Sequence, residues 1–506
     1  MIFFGGTKEL PLVGNEAFLL TRDKIHQVHN LVSNFGIALD IAHSEYEGYE
    51  IAMPVDGLIN SHIAIFGNTG SGKSNTLAMI FQEFIAKMRA RNEDAFESNC
   101  SIILFDFNNE YVGDNCLTQH KTVYRLSTRN DDGDKIPLGT GGFSDIEIIS
   151  ILADATEKTQ KPFLKRVLTL QKRILDSDDP IGYARNTIRL QVKQILQMSD
   201  KIRVDLLFDY LRQILPEEED DGDPIDLMQD LEWHNTVAEF KCGNTYLKQN
   251  PDYIPNTFVY GHVDQFSFAD EAIADLIKFA YIQLIYDILS NRAQNEHIAP
   301  AINKLRSKQS DIRKIFSQAE DGIFDSNVVV VALGDTNLEM RKTVPLLIAK
   351  KVYEDHKRAA GGRSLNLIID EAHNILSQES FRESESWKDY RLETFEEIIK
   401  EGRKFGVFVT IASQRPNDIS HTITSQAHNY FIHRLINQKD LQSIASAVSY
   451  IDKITEESIP TLPTGTCIFS GIAGQMPLKL AIRPLQEQLQ PRSATVQFRN
   501  IVPNFD

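Results

Sequence analysis

The stretch Gly67-Asn68-Thr69-Gly70-Ser71-Gly72-Lys73-Ser74 fits the pattern G-x-x-x-x-G-K-[ST] of a phosphate-binding loop, or P-loop. The apolar run His62–Phe66 precedes it, and apolar residues at helical spacing follow it from Leu77 to Met88. Glycines let backbone N–H groups turn inward around phosphate oxygens, and a helix N-terminus adds partial positive charge. The sequence therefore predicts a nucleotide-binding loop between a buried strand and a helix.

Two side chains of this loop carry specific chemistry. Lys73 is long enough to reach the β- and γ-phosphates, and the Ser74 hydroxyl can bind Mg²⁺. A glycine-rich turn that binds nothing is the alternative, but the flanking strand and helix favour a nucleotide site. The predicted nucleotide-contacting residues are Gly67, Asn68, Thr69, Gly70, Ser71, Gly72, Lys73, Ser74 and Asn75.

The composition is that of a large globular protein. The chain has 506 residues, 42% of them hydrophobic and 24% charged, so we expect one large domain with insertions or two to three domains. Its 53 Lys and Arg against 70 Asp and Glu give a net charge of −17. This balance argues against a surface coated with nucleic acid, but it leaves room for nucleic acid in a local channel.

No segment of the sequence predicts a membrane or secretory location. No apolar run approaches the length of a membrane span, and the N-terminus lacks the basic and apolar regions of a signal peptide. The four cysteines lie far apart without a C-x-x-C pair, which favours free thiols over disulfides or zinc ligands. We therefore expect a cytoplasmic protein without a membrane partner.

The hydrophobic pattern divides the chain into regions of different character. Residues 1–56 contain short β segments at residues 1–4, 17–20, 36–39 and 49–52, the pattern of a small barrel or sheet. Residues 57–140 and 326–484 alternate strands with helices, which predicts a largely parallel α/β sheet covered on both faces. Residues 141–325 show helical spacing and form a predicted insertion, and residues 485–506 form a predicted tail or arm.

A carboxylate pair follows the buried run Leu367–Ile369. Ligands of open α/β sheets bind at the carboxyl ends of the strands. Asp370 is therefore predicted to lie in a Mg²⁺ shell and Glu371 to polarise the attacking water. Such pairs also occur by chance after apolar strands, and the P-loop upstream in the same predicted sheet favours the catalytic interpretation.

Four other polar positions each allow two interpretations. Gln414, at the end of the strand that starts at Val407, either contacts the γ-phosphate or only bonds the backbone. Arg403 ends a predicted helix, where it either stabilises the helix dipole or acts as an arginine finger on an adjacent subunit. Asp106 and Glu110 follow another buried strand and either orient a water or bond the neighbouring loop.

These motifs follow one another in a fixed order: Gly67–Thr76, Asp106 to Glu110-Tyr111, Asp370–Asn374, Glu401–Gly406 and Ser413–Pro416. In this order, over about residues 50–485, the chain resembles the HerA family of the HerA/FtsK class of hexameric, DNA-translocating P-loop ATPases. The resemblance implies a RecA-like ATPase domain, a partner-docking N-terminal barrel and a homohexameric ring around duplex DNA. It also implies that Lys73, Asp370, Glu371, Gln414 and Arg403 serve the hydrolysis of ATP with Mg²⁺.

Two functions of different classes agree with these features. The first is an ATP-driven translocase or helicase that works on duplex DNA in the pore of a hexamer, together with a nuclease or another effector. The alternative is a scaffold of an antiviral (antiphage) defence complex, in which ATP regulates the assembly of a partner such as a nuclease or a sirtuin-like NADase. The acidic balance, the short N-terminal segment and the weak charge of the predicted pore loops favour the scaffold.

The predicted pore loops are residues 375–392 and 415–428, which follow the carboxylate strand and the Gln414 strand. Their basic candidates for DNA contact in the first loop are Arg382, Lys388 and Arg391. A solvated surface explains these cations as well as DNA contact does. A secretion or conjugation ATPase is less favoured, because nothing in the sequence suggests a membrane tether.

Overall fold

The computed structural model describes residues 21, 31–32, 36–45, 48–216, 225–269, 271–319, 326–359, 361–379, 383–448, 452–474 and 477–492. The predicted β segments at residues 1–4 and 17–20, and the predicted tail beyond residue 492, lie outside the described residues. The chain forms two compact units, one of Met1–Ile136 with Gly322–Asp506 and one of Pro137–Asp321.

The strands, in chain order, are β1 (Ala38–Ser44), β2 (Glu50–Pro54), β3 (Ile63–Phe66), β4 (Cys100–Asp106), β5 (Thr122–Ser127), β6 (Ile136–Pro137), β7 (Leu231–His234), β8 (Glu239–Cys242), β9 (Thr245–Tyr246), β10 (Phe316–Ser317), β11 (Val328–Asp335), β12 (Ser364–Ile369), β13 (Val407–Ser413), β14 (Asn429–Ile432), β15 (Thr466–Gly471) and β16 (Leu478–Ile482).

The α-helices, in chain order, are α1 (Val55–Leu58), α2 (Lys73–Asn99), α3 (Gly139–Gly142), α4 (Ile146–Leu152), α5 (Gln160–Leu175), α6 (Pro180–Leu196), α7 (Lys201–Arg212), α8 (Phe258–His262), α9 (Ala272–Leu289), α10 (Asn295–Ile315), α11 (Leu338–Arg358), α12 (His373–Leu376), α13 (Glu385–Glu401), α14 (His421–Ser425), α15 (Gln438–Ala447) and α16 (Lys453–Ser458).

The first unit is built on one 11-stranded sheet in the order β2-β1-β16-β15-β14-β3-β13-β12-β4-β11-β5. Neighbouring strands from β14 to β5 are parallel, whereas β2, β1, β16, β15 and β14 pair antiparallel. The parallel strands are apolar along most of their length because helices cover both faces of such a sheet. The predicted fold class, an α/β P-loop sheet with a largely parallel centre, is confirmed.

The helix after the P-loop shows how the sequence pattern produces this packing. Leu77, Ile80 and Phe81 of α2 are fully buried and belong to the main hydrophobic core. Their spacing of three to four residues places them on one side of the helix. The predicted apolar stripe is therefore the side of α2 that packs in the core.

The described part of residues 1–56 differs from the prediction of a separate β segment. Strand β1 pairs antiparallel with β2 and with β16, where Ala42 lies opposite Ile482, so both strands extend the central sheet. Leu39 and Met53 are fully buried in the same core as α2. Local alternation predicted the strands, but it carried no information on β16, a partner from the far end of the chain.

The start of the predicted tail, residues 485–492, packs on its own chain. The Gln82 amide donates a hydrogen bond to the Leu489 carbonyl at 2.8 Å, and the Arg492 N–H donates to the Glu110 carbonyl at 2.8 Å. This part of the tail therefore lies against the helix that follows the P-loop and against the loop after β4.

The second unit, Pro137–Asp321, has boundaries close to those predicted for the helical insertion. Helix α9 packs against α5, α6, α7 and α10, and its residues Leu276, Ala280 and Leu284 are fully buried. The unit also contains a small antiparallel sheet, β7-β8-β9, that the sequence did not predict. Among the helices that the structure describes, none is both long and apolar enough to span a lipid bilayer.

Candidate nucleotide site

Three neighbouring strand ends create the candidate site. Strands β3, β13 and β12 lie side by side in parallel and end at Phe66, Ser413 and Ile369. The carboxyl ends of parallel strands meet at one edge of a sheet, where ligands of such folds bind. The topology therefore brings together the P-loop, Gln414 and the pair Asp370–Glu371, as the sequence predicted.

The P-loop is held tightly where its backbone turns. Gly70 and Gly72 have φ angles of +74° and +108°, in the left-handed region that favours glycine. A Cβ atom on Gly67 would lie 2.5 Å from the Ser71 Oγ and 2.6 Å from the His433 Cβ, so this position has no room for a side chain. The glycines of the pattern are thus required by local conformation and by close packing.

Lys73 joins the loop to the carboxylate pair. Its Nζ atom lies 3.2 Å from the Asp370 Oδ1 and 2.9 Å from the Glu371 Oε1, and all three side chains are buried. Burial alone would lower the pKa of Lys73, but the charges of Asp370 and Glu371 outweigh this effect and raise the pKa above its ordinary value. Lys73 therefore stays positively charged at the floor of the site.

Glu371 adopts a strained backbone conformation. Its φ angle is +45°, in the left-handed region where a side chain costs roughly 1–2 kcal/mol. Its Oε2 atom also lies 3.3 Å from the Nδ1 atom of His373, which is half-buried. Burial lowers the pKa of His373, although the charge of Glu371 opposes this effect. Such strain clusters at functional sites because it fixes a side chain in a required position.

Asp106 and Glu110, the two acidic residues whose roles the sequence left open, have different contacts in the structure. The Asp106 carboxylate is fully buried and accepts hydrogen bonds from the backbone N–H groups of Asn108, Glu110 and Tyr111 at 3.2, 3.0 and 2.8 Å. Burial raises the pKa of Asp106 to about 7, although these bonds oppose the effect. Asp106 therefore holds the loop after β4.

Glu110 lies at the nucleotide site itself. Burial raises the pKa of its carboxyl, and the charge of Asp370 raises it further, while a hydrogen bond with the Ser74 side chain lowers it. Glu110 thus contacts the hydroxyl that was predicted to bind Mg²⁺, and it adds a third carboxylate to the pair Asp370 and Glu371.

Gln414 contacts the P-loop directly. Its Oε1 atom accepts a hydrogen bond of 2.6 Å from the Thr69 hydroxyl. A polar cavity of about 580 Å³ opens beside this contact and is also lined by Asn68, Arg415 and Lys439. Arg415 lies within the motif Ser413–Pro416 but was predicted only as part of a pore loop, and Lys439 lies outside every motif, so neither cation was predicted to line the site.

His433 is a second residue that sequence reasoning missed. It is fully buried next to Gly67, with its Nδ1 atom 3.0 Å from the Thr466 carbonyl oxygen and its Nε2 atom 2.9 Å from the Thr76 hydroxyl oxygen. A carbonyl can only accept, so Nδ1 carries the proton and Nε2 accepts from Thr76. His433 therefore ties α2 and β15 together behind the P-loop. No motif surrounds this lone histidine in the sequence.

We predict that buried His433 makes the protein less stable in mild acid. Burial lowers the pKa of His433 from 6.5 to about 4, so the unfolded chain binds more protons than the folded chain between these pH values. The free energy of unfolding therefore decreases as the pH is lowered. The expected contribution is about 2 kcal/mol between pH 7.5 and pH 5. Urea unfolding of the wild type and of His433→Gln at both pH values measures it.

The free energy of unfolding of His433→Gln should differ less between the two pH values than that of the wild type. His62, whose pKa burial also lowers to about 4, is present in both proteins and cancels in the comparison. An equal pH dependence in the two proteins would show that His433 is not buried in its neutral form.

Arg403 is the predicted site residue that the structure does not bring to the P-loop. It lies in the turn before β13, at the amino ends of the parallel strands, and its exposed guanidinium contacts the His428 Nε2 at 2.9 Å. The seven residues of β13 separate this turn from Gln414, which corresponds to about 20 Å. Arg403 therefore lies at the opposite edge of the sheet from Lys73 of the same chain.

The donor set fits Mg²⁺ held jointly with phosphates. No group of three or more His, Cys, Asp or Glu side chains among the described residues could hold a metal ion by itself. The Asp370 Oδ2 atom is buried and accepts no hydrogen bond from a described group, which leaves an oxygen ligand available. Mg²⁺ in nucleotide sites typically takes one or two carboxylates with phosphates and waters.

The side chain of Asn75, a predicted nucleotide contact, forms hydrogen bonds with the backbone of its own chain. The Asn75 amide donates to the Arg483 carbonyl at 3.2 Å, and its Oδ1 accepts from the Leu485 N–H at 3.4 Å, so its side chain is bonded to the chain after β16.

The four cysteines, Cys100, Cys116, Cys242 and Cys467, are all free, in agreement with the expectation from their spacing.

Comparison with known proteins identifies relatives of the region that carries the P-loop. Residues 41–240 match the family model of the central domain of helicase HerA. A probable helicase of Methanocaldococcus jannaschii is 21% identical over 438 residues, covering 85% of this chain and 64% of that protein. The DNA double-strand break repair helicase HerA of Sulfolobus acidocaldarius is 20% identical over 431 residues, covering 85% of this chain and 66% of that protein. The chain thus spans slightly less than two thirds of the length of these two relatives.

Among solved structures, VirB4 of Thermoanaerobacter pseudethanolicus aligns with a TM-score of 0.47 and 13% identity, covering 91% of this chain and all of that one. The bacterial conjugative coupling protein TrwB aligns with a TM-score of 0.42 and 12% identity, covering 90% of this chain and 91% of that one. The resemblance inferred from the order of the motifs is confirmed by the HerA model and the HerA relatives. The chain is a P-loop protein related to the HerA helicases.

Proposed function

We propose that Lys73, Asp370, Glu371 and Gln414 act together on ATP, because the order β3-β13-β12 places all four at one edge of the sheet. Ser74 and Asp370 would hold Mg²⁺, which would neutralise charge on the phosphates. Glu371 would accept the proton of the attacking water, and Lys73 would contact the phosphates. Gln414, which is hydrogen-bonded to Thr69, would contact the γ-phosphate.

The proposed active assembly is a homohexameric ring. Arg403 is exposed at the edge of the sheet opposite the P-loop, so it can act as an arginine finger only on another subunit. Contacts between unlike surfaces of identical subunits form closed rings when the rotation permits. In such a ring, every subunit would complete the nucleotide site of its neighbour.

For the work done by hydrolysis, we propose translocation along or unwinding of duplex DNA, together with a nuclease or another effector that docks on the N-terminal region, residues 1–56. The support is the function of the two relatives, a probable helicase and a DNA double-strand break repair helicase. Both align with 85% of this chain.

One observation favours the alternative, an ATP-regulated scaffold of an antiphage defence complex that assembles a nuclease or a sirtuin-like NADase. Arg391, a predicted DNA contact, is fully buried, pairs with Glu383 at 2.8 Å and donates to the Ile375 carbonyl. It therefore holds the loop after the carboxylate strand and is not available to DNA. Lys388 stays partly exposed, and Arg382 lies outside the described residues.

The ATPase rate of the purified protein distinguishes the translocase from the scaffold. It is measured with and without duplex DNA, at low and at high salt. A translocase should hydrolyse ATP several-fold faster with duplex DNA, and the gain should shrink as salt rises because phosphate contacts are screened. A native mass of six subunits would support the ring. If duplex DNA neither binds at low salt nor changes the rate, the translocase proposal fails and the scaffold remains.

A further inference from the structure

A separate cavity lies wholly within the second unit, far along the chain from every P-loop motif. It has a volume of about 400 Å³ and is lined by residues of α5, α6 and α9 and by Arg292, which follows α9. Pockets of about 300–1,000 Å³ are large enough for a small ligand. Neither the predicted ATPase function nor the HerA motifs involve these residues.

The cavity carries excess positive charge. Its lining contains Arg166, Arg173 and Arg292 but no carboxylate. Arg166 is compensated by Asp287, a fully buried residue whose Oδ2 accepts from the Arg166 Nε and from its terminal nitrogen at 3.0 and 2.7 Å. No described carboxylate pairs with Arg173 or Arg292, and both side chains are exposed. The cavity therefore favours an anion, and guanidinium groups suit phosphate.

Two half-exposed aromatic rings lie beside these cations. Tyr183 is 38% exposed and Tyr286 is 43% exposed, and both line the cavity. The guanidinium carbon of Arg292 lies 5.4 Å from the centre of the Tyr286 ring. Exposed rings next to arginines are the combination on which proteins stack nucleobases while they hold the adjoining phosphate.

A buried amide supplies a third, independent feature. Gln191 lines the cavity and is only 3% exposed, and its Nε2 donates to the Ile282 carbonyl at 2.8 Å. This bond fixes the amide so that Oε1 is an acceptor, and no described group donates to it. Buried acceptors without a donor are uncommon because each costs free energy. A nucleobase N–H is a donor of the kind that this oxygen lacks.

We propose that this cavity binds a nucleotide unit, with its phosphate on Arg173 and Arg292, its base against Tyr183 or Tyr286, and a base N–H directed to Gln191. The unit is either a free mononucleotide or one nucleotide of a single strand. The site is independent of the P-loop and does not require the proposed motor or scaffold function.

Hydrogen–deuterium exchange of the full chain tests the proposal, because it reports α5, α6 and α9 separately from the P-loop. The probes are AMP, a short single-stranded oligodeoxyadenylate and ribose 5-phosphate, which carries the phosphate without a base. AMP or the oligonucleotide should slow exchange in all three helices, and ribose 5-phosphate should do so only at higher concentration. Protection by AMP assigns a free nucleotide, and protection by the oligonucleotide alone assigns a single strand.

Variants link the protection to the named residues. Arg173→Ala and Arg292→Ala should each weaken binding about tenfold, as expected for a lost hydrogen bond to a charged group. Either Tyr183→Leu or Tyr286→Leu should reduce the affinity for AMP towards that for ribose 5-phosphate, and the variant that does so identifies the ring that stacks on the base. Arg306→Ala, an exposed arginine of α10 outside the cavity lining, is the matched control and should bind normally. The proposal is wrong if no probe protects these helices, or if the double variant that combines Arg173→Ala with Arg292→Ala keeps full protection.

Discussion

Replacing Glu371 with glutamine should lower ATP turnover about 10²–10⁴-fold, the typical contribution of a general base, while ATP still binds. Glutamine has the shape of glutamate, and its carbonyl can accept the 2.9 Å hydrogen bond from Lys73. Asp370, the other partner of Lys73, keeps its charge and its position after β12. The variant therefore lacks only the group that can take a proton from the attacking water.

Phosphate release measures turnover, and nucleotide retained after gel filtration measures binding. Glu457→Gln, which neutralises an exposed carboxylate of α16, is the matched control and should hydrolyse ATP at the wild-type rate. Glu110→Gln distinguishes the role of Glu110 from that of Glu371, because Glu110 contacts Ser74 whereas Glu371 contacts Lys73. Steady-state hydrolysis by Glu371→Gln near the wild-type rate would remove Glu371 from the role of general base.

The sequence predicted the parts of the site that depend on local pattern. The segments before the P-loop, before Asp370 and before Gln414 are each largely apolar and are followed by polar residues, and each forms a strand in the structure. The glycine pattern also predicted a tight loop, in which the structure shows left-handed conformations at Gly70 and Gly72. Such features are encoded within a few residues, so one sequence is sufficient to find them.

Features that depend on distant partners could not be predicted in this way. His433 acts through Thr76 and Thr466, and the destination of β1 depends on β16. The strands of the second unit are only two to four residues long, too short to show alternation. Charge alone likewise suggested that Arg391 faces solvent or DNA, whereas its carbonyl and carboxylate partners bury it.

Arg403 lies at the opposite end of β13 from the P-loop of its own chain. In a ring, the site of one subunit would combine its own Lys73 with Arg403 of the next subunit. Arg403→Ala and Lys73→Ala should each be nearly inactive, since arginine fingers contribute about 10³–10⁵-fold in rate and Lys73 is the only P-loop cation. A mixture of the two variants creates some interfaces at which both residues are intact.

Mixing equal amounts of the two inactive variants, with time to exchange subunits, should therefore restore up to about a quarter of the wild-type rate if the sites act independently. Lys404→Ala, the neighbouring exposed cation in the same turn, should stay active and controls for loss of charge. His428→Ala removes the contact of Arg403 within its own chain but leaves the guanidinium, so it should also retain activity. If His428→Ala reproduces the defect and mixing restores nothing, Arg403 acts on its own chain by stabilising the turn before β13, and the hexameric site loses its main support.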